Sequence, residues 1–155
     1  MKLEQSQKAP DFCLSNQNGK QVRLSDFKNR WLLIYFYPKD DTPGCTKQAC
    51  GIRDSMEEFM KKGLQVIGIS TDGVRSHKKF YEKYNLPFDI LADEKKEMVE
   101  AYGVWGKKKF MGREYMGTNR TSFLIDPDGK IVKIYPKVNP EEHADQVLKD
   151  FKELN

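Results

Sequence analysis

The chain has 155 residues, of which 38% are hydrophobic and 32% charged, and its formal net charge is +4. This balance is typical of one globular domain with a core large enough to fold alone, and it excludes an intrinsically disordered chain. No apolar run approaches the length of a membrane span, and the basic excess is too small to indicate nucleic-acid binding. We therefore expect a single domain over residues 1–155, with neither a membrane nor a nucleic acid as partner.

The first predicted element is a small antiparallel hairpin. Short segments at 12–14 and 21–24 flank the dipeptide Asn18-Gly19, which is a strong turn signal. Cys13 lies on this hairpin between two apolar residues, so we expect it to serve packing rather than redox chemistry.

A buried strand followed by a helix is predicted next, and the rest of the chain is organised around this pair. The continuous apolar run at 31–37 is typical of a strand buried on both faces. After a short loop, apolar residues recur with helical spacing at Cys45, Ala49, Ile52, Met56 and Phe59. One of residues 40–42 can cap this helix and Pro43 suits its first position, which places Cys45 in the first turn.

The position of Cys45 provides a physical reason for a reactive thiol. Free N–H groups and the positive end of the helix dipole favour negative charge, so they favour the nucleophilic thiolate. Thr42 can place a hydroxyl beside the sulfur, and Pro38 can cover the pocket floor without adding a competing N–H donor. Cys50 follows five residues after Cys45, where a second thiol can condense with an oxidised Cys45.

The next segment completes a βαβ unit. The apolar segment 64–70 predicts a second buried strand, and strand, helix, strand at this length indicates a parallel pair with a right-handed crossover. A second helix is predicted over 74–84. His77 lies among lysines on this helix, so we expect it to be exposed and not to act as a catalytic base.

A third helix is predicted over 94–102, followed by a glycine-rich surface loop over 105–117. The only dense basic cluster, at 107–109, lies in this loop and is interpreted as solvated. The loop also carries three large side chains that either line the mouth of the site or fill the core: Met111, Tyr115 and Met116.

The last predicted elements are a second hairpin and a helix. Strands at 121–125 and 130–135 flank the turn sequence 126–129, which has Pro and Gly where type I turns favour them. The final helix is predicted from Pro140 to about Leu154. Together the elements predict an α/β fold with a central mixed sheet flanked by helices and an N-terminal β-hairpin.

The number and spacing of the cysteines and histidines limit the kinds of site that the chain can form. The chain has three cysteines, no Cys-x-x-Cys, and only two histidines, His77 and His143. No zinc-ligand spacing follows from these residues, so we expect neither a metal nor a cofactor. Catalytic thiols in a reducing compartment fit better than a disulfide scaffold, and residues 1–8 lack the apolar core of a signal peptide. We expect a cytoplasmic protein.

One motif resembles that of a known family. Pro38, Thr42 and Cys45 have the spacing Pro-x-x-x-Thr-x-x-Cys, which resembles the peroxidatic motif of the peroxiredoxins. The longer string Thr-Pro-Gly-Cys-Thr-x-x-Ala-Cys resembles the bacterioferritin comigratory protein subfamily, also called peroxiredoxin Q. This resemblance implies a thioredoxin-like fold. Similar stretches extend over nearly the whole chain, at 9–12, 102–106 and 120–126.

The resemblance also implies a reaction and the residues that perform it. It implies a thiol-dependent peroxidase for hydrogen peroxide and organic hydroperoxides, with Cys45 as peroxidatic nucleophile and Cys50 as resolving cysteine. Thr42, Arg120 and the backbone N–H groups of Gly44 and Cys45 would orient the peroxide and stabilise its developing charge. The implied reductant is thioredoxin or a similar dithiol protein. We expect a monomer, with a weak homodimer as the alternative.

Two other functions stay open on the residues alone. A general dithiol oxidoreductase uses Cys-x-x-Cys, so the five-residue spacing argues against it. A redox-sensing binding module could use the same two thiols as a switch without turnover. Arg120 also has a second interpretation, a surface salt bridge.

The spacing of the two thiols makes a geometric prediction. On an intact helix, residues five apart have Cα atoms roughly 8–9 Å apart and about 140° round the axis. A disulfide needs Cα atoms within about 7 Å of each other. We therefore expect Cys50 on the polar side of an intact helix in the reduced form, and local unwinding before Cys45 and Cys50 can form a disulfide.

Overall fold

The computed structural model describes residues 3–154, so both ends of the predicted domain, residues 1, 2 and 155, lie outside the described residues. The strands are β1 (Cys13–Ser15), β2 (Gln21–Arg23), β3 (Trp31–Phe36), β4 (Leu64–Ser70), β5 (Asp89–Ala92), β6 (Trp105–Phe110), β7 (Arg113–Thr118), β8 (Thr121–Ile125) and β9 (Ile131–Tyr135). The helices are α1 (Pro43–Lys61), α2 (Val74–Lys83), α3 (Glu97–Ala101) and α4 (His143–Leu154), with a 3-10 turn at Leu24–Phe27.

Seven of these strands form one mixed sheet in the order β2-β1-β5-β4-β3-β8-β9. β3 pairs in parallel with β4, and β4 with β5, while the other neighbours are antiparallel. Since α1 connects β3 to β4, the predicted βαβ unit is confirmed. The mixed sheet with flanking helices and the β1–β2 hairpin confirm the predicted fold class.

The place of β3 in the sheet explains its continuous apolar sequence. All residues from Leu32 to Phe36 are buried, because successive side chains point to opposite faces and both faces are covered. Leu33 and Tyr35 belong to a core cluster with side chains of α1 and α4. Ile34 and Phe36 belong to a second cluster with α3 and the N-terminal segment.

α1 begins as its sequence predicts. Thr42 has an extended backbone at the N-cap position and Pro43 occupies the first helical position. The helix ends before Gly63, whose φ of +79° is a left-handed conformation that favours glycine. Its buried side chains include the predicted apolar stripe, so α1 packs that stripe on the sheet.

The predicted surface loop at 105–117 is instead a β-hairpin of β6 and β7, so that prediction is wrong. Six residue pairs join the two strands. The turn residues Met111 and Gly112 both have positive φ, as a two-residue hairpin turn requires. The strand pattern was hidden because both strands are largely exposed and carry polar residues. Core filling is also excluded by the exposure of its large side chains, Met111, Tyr115 and Met116.

Two side chains differ in burial from what the sequence predicts. His77 is fully buried, because it shares the inner face of α2 with Phe80 although lysines flank it. Cys13 is exposed, and its Sγ donates to Oε1 of Gln21 at 3.2 Å, so the expected packing role is wrong.

Helix boundaries differ at two N-termini. α3 begins at Glu97 rather than Glu94, because Lys96 before it has a left-handed φ of 63°. α4 begins at His143 rather than Pro140. Within residues 3–154, none of the helices is both long enough and apolar enough to cross a membrane.

Candidate active site

The thiol of Cys45 lies in the first turn of α1 and is buried. Cys45 is 1% exposed and unpaired. Arg120 approaches it because β8 pairs antiparallel with β3, with Thr121 opposite Phe36, which places Arg120 near the end of β3 from which the chain leads into α1. Nη2 of Arg120 donates to the Cys45 Sγ at 3.4 Å. The guanidinium and the helix N-terminus together stabilise negative charge on the sulfur.

A chain of hydrogen bonds fixes the guanidinium. Nη1 of Arg120 donates to Oε1 of Gln48 at 2.6 Å, and Nε2 of Gln48 lies 3.1 Å from Nδ1 of His143. Burial, followed by the charge of Arg120, lowers the pKa of His143 to about 4, so the ring is neutral at pH 7. A neutral ring accepts the Gln48 amide hydrogen at Nδ1. The amide oxygen of Gln48 is therefore turned toward Arg120.

Gly44 allows the backbone of α1 to come close to this guanidinium. A Cβ at residue 44 would lie 3.2 Å from Nη2 of Arg120, so a side chain here would press on the group that contacts Cys45. The first bond within the helix runs from the Thr46 N–H to the Thr42 carbonyl at 2.8 Å. The N–H groups of Gly44 and Cys45 precede that bond, so helix geometry leaves them available to a ligand.

Pro38 and Thr42 lie in the loop between β3 and α1, and both are half-buried. The Thr42 hydroxyl donates to the Lys39 carbonyl at 3.0 Å, which leaves its oxygen lone pairs free to accept a hydrogen bond. The described contacts join neither residue to the Cys45 sulfur. Their roles stay predictions.

Cys50 lies on the same helix as Cys45 and is also unpaired. It is half-buried, and α1 is continuous from Pro43 to Lys61. The two thiols are therefore separated by an intact helix, in the arrangement expected of the reduced form.

A second cation approaches the site from the β6–β7 hairpin. Lys108 is half-buried, and its Nζ donates to the Thr118 carbonyl at 3.0 Å. Burial and the charge of Arg120 lower the pKa of Lys108, whereas negative charge on Cys45 raises it. Lys108 is therefore not the solvated side chain that its basic cluster predicted.

Three polar residues of this region were missed in the sequence: Gln48, Lys108 and His143. Gln48 follows Cys45 by three residues, so the helical period by itself would have placed both on one side of α1. His143 lies 95 positions from Gln48, and no local pattern connects them. Nothing in the sequence indicated that Lys108 lies near the site, because the strand that carries it was interpreted as a loop.

Comparison with known proteins decides the family. The sequence profile described as the AhpC/TSA family matches residues 6–134. The chain belongs to this family. Peroxiredoxin Bcp of Bacillus subtilis is 45% identical over 155 residues, which cover 100% of this chain and 99% of that protein. Peroxiredoxin Bcp of Escherichia coli is 50% identical over 145 residues, which cover 94% of this chain and 93% of that protein.

Solved structures agree with these relatives. The bacterioferritin comigratory protein of Xanthomonas campestris, studied for alkyl peroxide reduction, superposes with a TM-score of 0.87 at 36% identity and covers 92% of this chain and 91% of its own. A cysteine-to-serine mutant of PrxQ from Xylella fastidiosa superposes with a TM-score of 0.94 at 28% identity. The match covers 99% of this chain and 98% of that protein. The resemblance to peroxiredoxin Q is confirmed, and this AhpC/TSA family member is a thiol-dependent peroxidase with a thioredoxin-like fold.

Proposed function

We propose that Cys45 is the peroxidatic nucleophile of this peroxidase and that Arg120 stabilises the thiolate and the transition state. One observation supports both roles: Nη2 of Arg120 donates to the sulfur of a buried, unpaired cysteine in the first turn of a helix. A cation and a helix N-terminus that converge on one thiol favour the reactive thiolate.

In the first step the Cys45 thiolate attacks the nearer oxygen of a hydroperoxide. The S–O bond forms as the O–O bond breaks, the distal oxygen leaves with the electron pair, and after taking up a proton it departs as water or an alcohol. Cys45 is oxidised to sulfenic acid. Arg120, the N–H groups of Gly44 and Cys45, and the Thr42 oxygen hold the peroxide in line, while Pro38 shields the sulfur.

In the second step the Cys50 thiol attacks the oxidised sulfur of Cys45. A disulfide forms and water leaves. A dithiol protein of the thioredoxin type then reduces the disulfide by thiol exchange, which returns both thiols. Turnover of this kind distinguishes the enzyme from a switch that only changes state.

The proposal extends to the substrates, the cellular compartment and the oligomeric state. Alkyl hydroperoxides are proposed as substrates beside hydrogen peroxide, on the model of the Xanthomonas campestris relative. An exposed, unpaired Cys13 suits a reducing compartment, which supports the cytoplasm as location. We propose that residues 1–155 work as one domain and as a monomer.

Trapping the first intermediate tests the proposal. With Cys50→Ser, hydrogen peroxide should leave a lasting sulfenic acid on Cys45, because no neighbouring thiol can condense with it. Dimedone labelling followed by peptide mass spectrometry should place the adduct on the peptide that contains Cys45. An adduct on Cys13 instead, or none in a folded protein, would contradict the assignment.

The disulfide step is expected to unwind the start of α1. Hydrogen exchange across residues 43–54 should accelerate when the Cys45–Cys50 disulfide forms, because the intact helix keeps the Cα atoms roughly 8–9 Å apart. Far-UV circular dichroism should show a loss of helix. Continued protection of this segment in the disulfide form would refute the geometric argument.

Gly51→Ala offers a graded test of the unwinding. A Cβ at residue 51 would meet no atom within 4 Å, so alanine acts through helix propensity. It stabilises the helix by about 1 kcal/mol, and we expect disulfide formation to slow about fivefold. The peroxide step of the same variant is the internal control and should keep its rate.

A further inference from the structure

The proposed mechanism makes no use of His77, although this buried side chain has polar contacts at both ring nitrogens. His77 is fully buried on the inner face of α2. Its Nδ1 lies 2.6 Å from Oδ2 of Asp40, and its Nε2 lies 2.9 Å from the Leu91 carbonyl oxygen. A buried ring with two short polar contacts of this kind is held in one orientation.

The hydrogen-bond pattern locates the hydrogens around this pair. The Leu91 carbonyl can only accept, so Nε2 carries a hydrogen. Asp40 accepts from the Tyr37 hydroxyl at 2.6 Å and from the Ser76 hydroxyl at 2.8 Å. Burial and the Asp40 charge raise the pKa of Tyr37 well above its ordinary value, so Tyr37 keeps its hydrogen. Nδ1 of His77 and Oδ2 of Asp40 share one hydrogen across 2.6 Å, so a short buried hydrogen bond joins the ring to the carboxyl group.

Asp40 belongs to the loop that leads into the active site. It lies two residues before Thr42, and its N–H donates to Oδ2 of Asp72 at 2.8 Å, which ties the loop to the end of β4. The next residue, Asp41, has a left-handed φ of 57°. Residues other than glycine adopt this conformation at a cost, so contacts from outside the loop are needed to hold it. Asp40 makes three such contacts, with Asp72, Ser76 and His77, and the one with His77 is buried while the other two are partly exposed.

A metal site is the competing interpretation of this cluster. Asp40, Asp72 and His77 place one ligand atom each within 4.8 Å of one another. The same atoms already face hydrogen donors, since Ser70 donates to Asp72 at 2.7 Å and Ser76 donates to Asp40. A cation would have to displace these donors and the hydrogen between Nδ1 of His77 and Asp40. Hydrogen bonding therefore explains the cluster better than a cation does.

We propose that His77 is a positioning residue that, through Asp40, holds the loop presenting Thr42 and Cys45 in the conformation that reacts with peroxide. The inference rests on the proposed function. Because the same loop leads into the helix start that must unwind for the disulfide, releasing Asp40 should affect the two steps differently. Oxidation of Cys45 should slow, and condensation with Cys50 should not.

Two substitutions of His77 separate its two bonds. Asparagine places an amide nitrogen near the position of Nδ1, so His77→Asn keeps the donor to Asp40 and loses the bond to Leu91. Glutamine reaches as far as Nε2, so His77→Gln keeps the bond to Leu91 and releases Asp40. Loss of a hydrogen bond to a charged group corresponds to a rate effect of about tenfold.

The experiment follows both steps by rapid mixing of the full chain with hydrogen peroxide. His77→Gln should oxidise Cys45 about tenfold more slowly without slowing disulfide formation, while His77→Asn should stay within about twofold of the parent for both steps. Equal effects of the two variants, or a slower disulfide step in His77→Gln, would overturn the proposal.

Two further variants keep the test decisive if His77→Gln does not fold. Ser76→Ala removes a half-buried donor to the same carboxylate and should slow Cys45 oxidation about threefold; an unchanged rate would count against the proposal. Tyr102→Phe removes a 2.7 Å bond to the Pro10 carbonyl, and Tyr102 belongs to the core cluster on the other face of the sheet, so it should change neither step. If the parent forms no sulfenic acid on Cys45, the proposed function fails; if it does and the variants do not differ, only the role of His77 fails.

Discussion

Cys45→Ser is expected to reduce peroxide consumption to the rate of the uncatalysed reaction. A serine hydroxyl stays protonated at neutral pH, so Arg120 and the helix N-terminus cannot convert it to an anionic nucleophile. The fold should be preserved, because oxygen replaces sulfur in a side chain of nearly the same shape. Peroxide consumption coupled to thioredoxin and its reductase measures the effect.

The exposed thiol of Cys13 provides a matched control. Cys13→Ser makes the same change of atom at a side chain whose only described partner is Gln21. Its turnover should equal that of the parent. If Cys45→Ser kept near-parental turnover, or if Cys13→Ser blocked recycling, the nucleophile or the resolving thiol would have to be reassigned.

Arg120→Ala is expected to slow the oxidation of Cys45 about 100-fold, the usual cost of removing one preorganised donor from a developing charge. Three contributions are lost together: the cation near the thiolate, the donor to Sγ, and the partner of Gln48. Stopped-flow measurement with hydrogen peroxide reports this step directly. Disulfide formation after oxidation should change little, since the role proposed for Arg120 concerns the peroxide and not the attack of Cys50.

Two further arginine variants test whether the effect is specific to the guanidinium of Arg120. Arg120→Lys keeps the charge but not the planar fork that contacts both Gln48 and Cys45, so an intermediate rate is expected. Arg53→Ala removes an arginine of α1 that bonds Asp54 and the Tyr84 carbonyl, and it should leave the rate unchanged. Equal losses in Arg120→Ala and Arg53→Ala would remove Arg120 from a specific role.

The parts of the fold that sequence predicted well are those with a strong local period. The strands β3 and β4 and the helix α1 were expected almost to their observed ends, because apolar runs and a helical stripe are local signals. The β6–β7 hairpin was missed since its strands are largely exposed and carry lysines. The N-terminus of α3 was misplaced because the left-handed backbone at Lys96 has no residue signature.

The sequence by itself determined that a cysteine would sit in the first turn of a helix after a buried strand, with a second thiol five residues on. Both are local properties, set by helical periodicity and by Pro43 at the first helical position. Only the tertiary structure decided which side chains surround that thiol. Strand pairing of β3 with β8 places Arg120 at Cys45, and packing of α2 buries His77 against Asp40. These contacts join residues distant in the chain, so they depend on which elements become neighbours, and no local pattern carries that information.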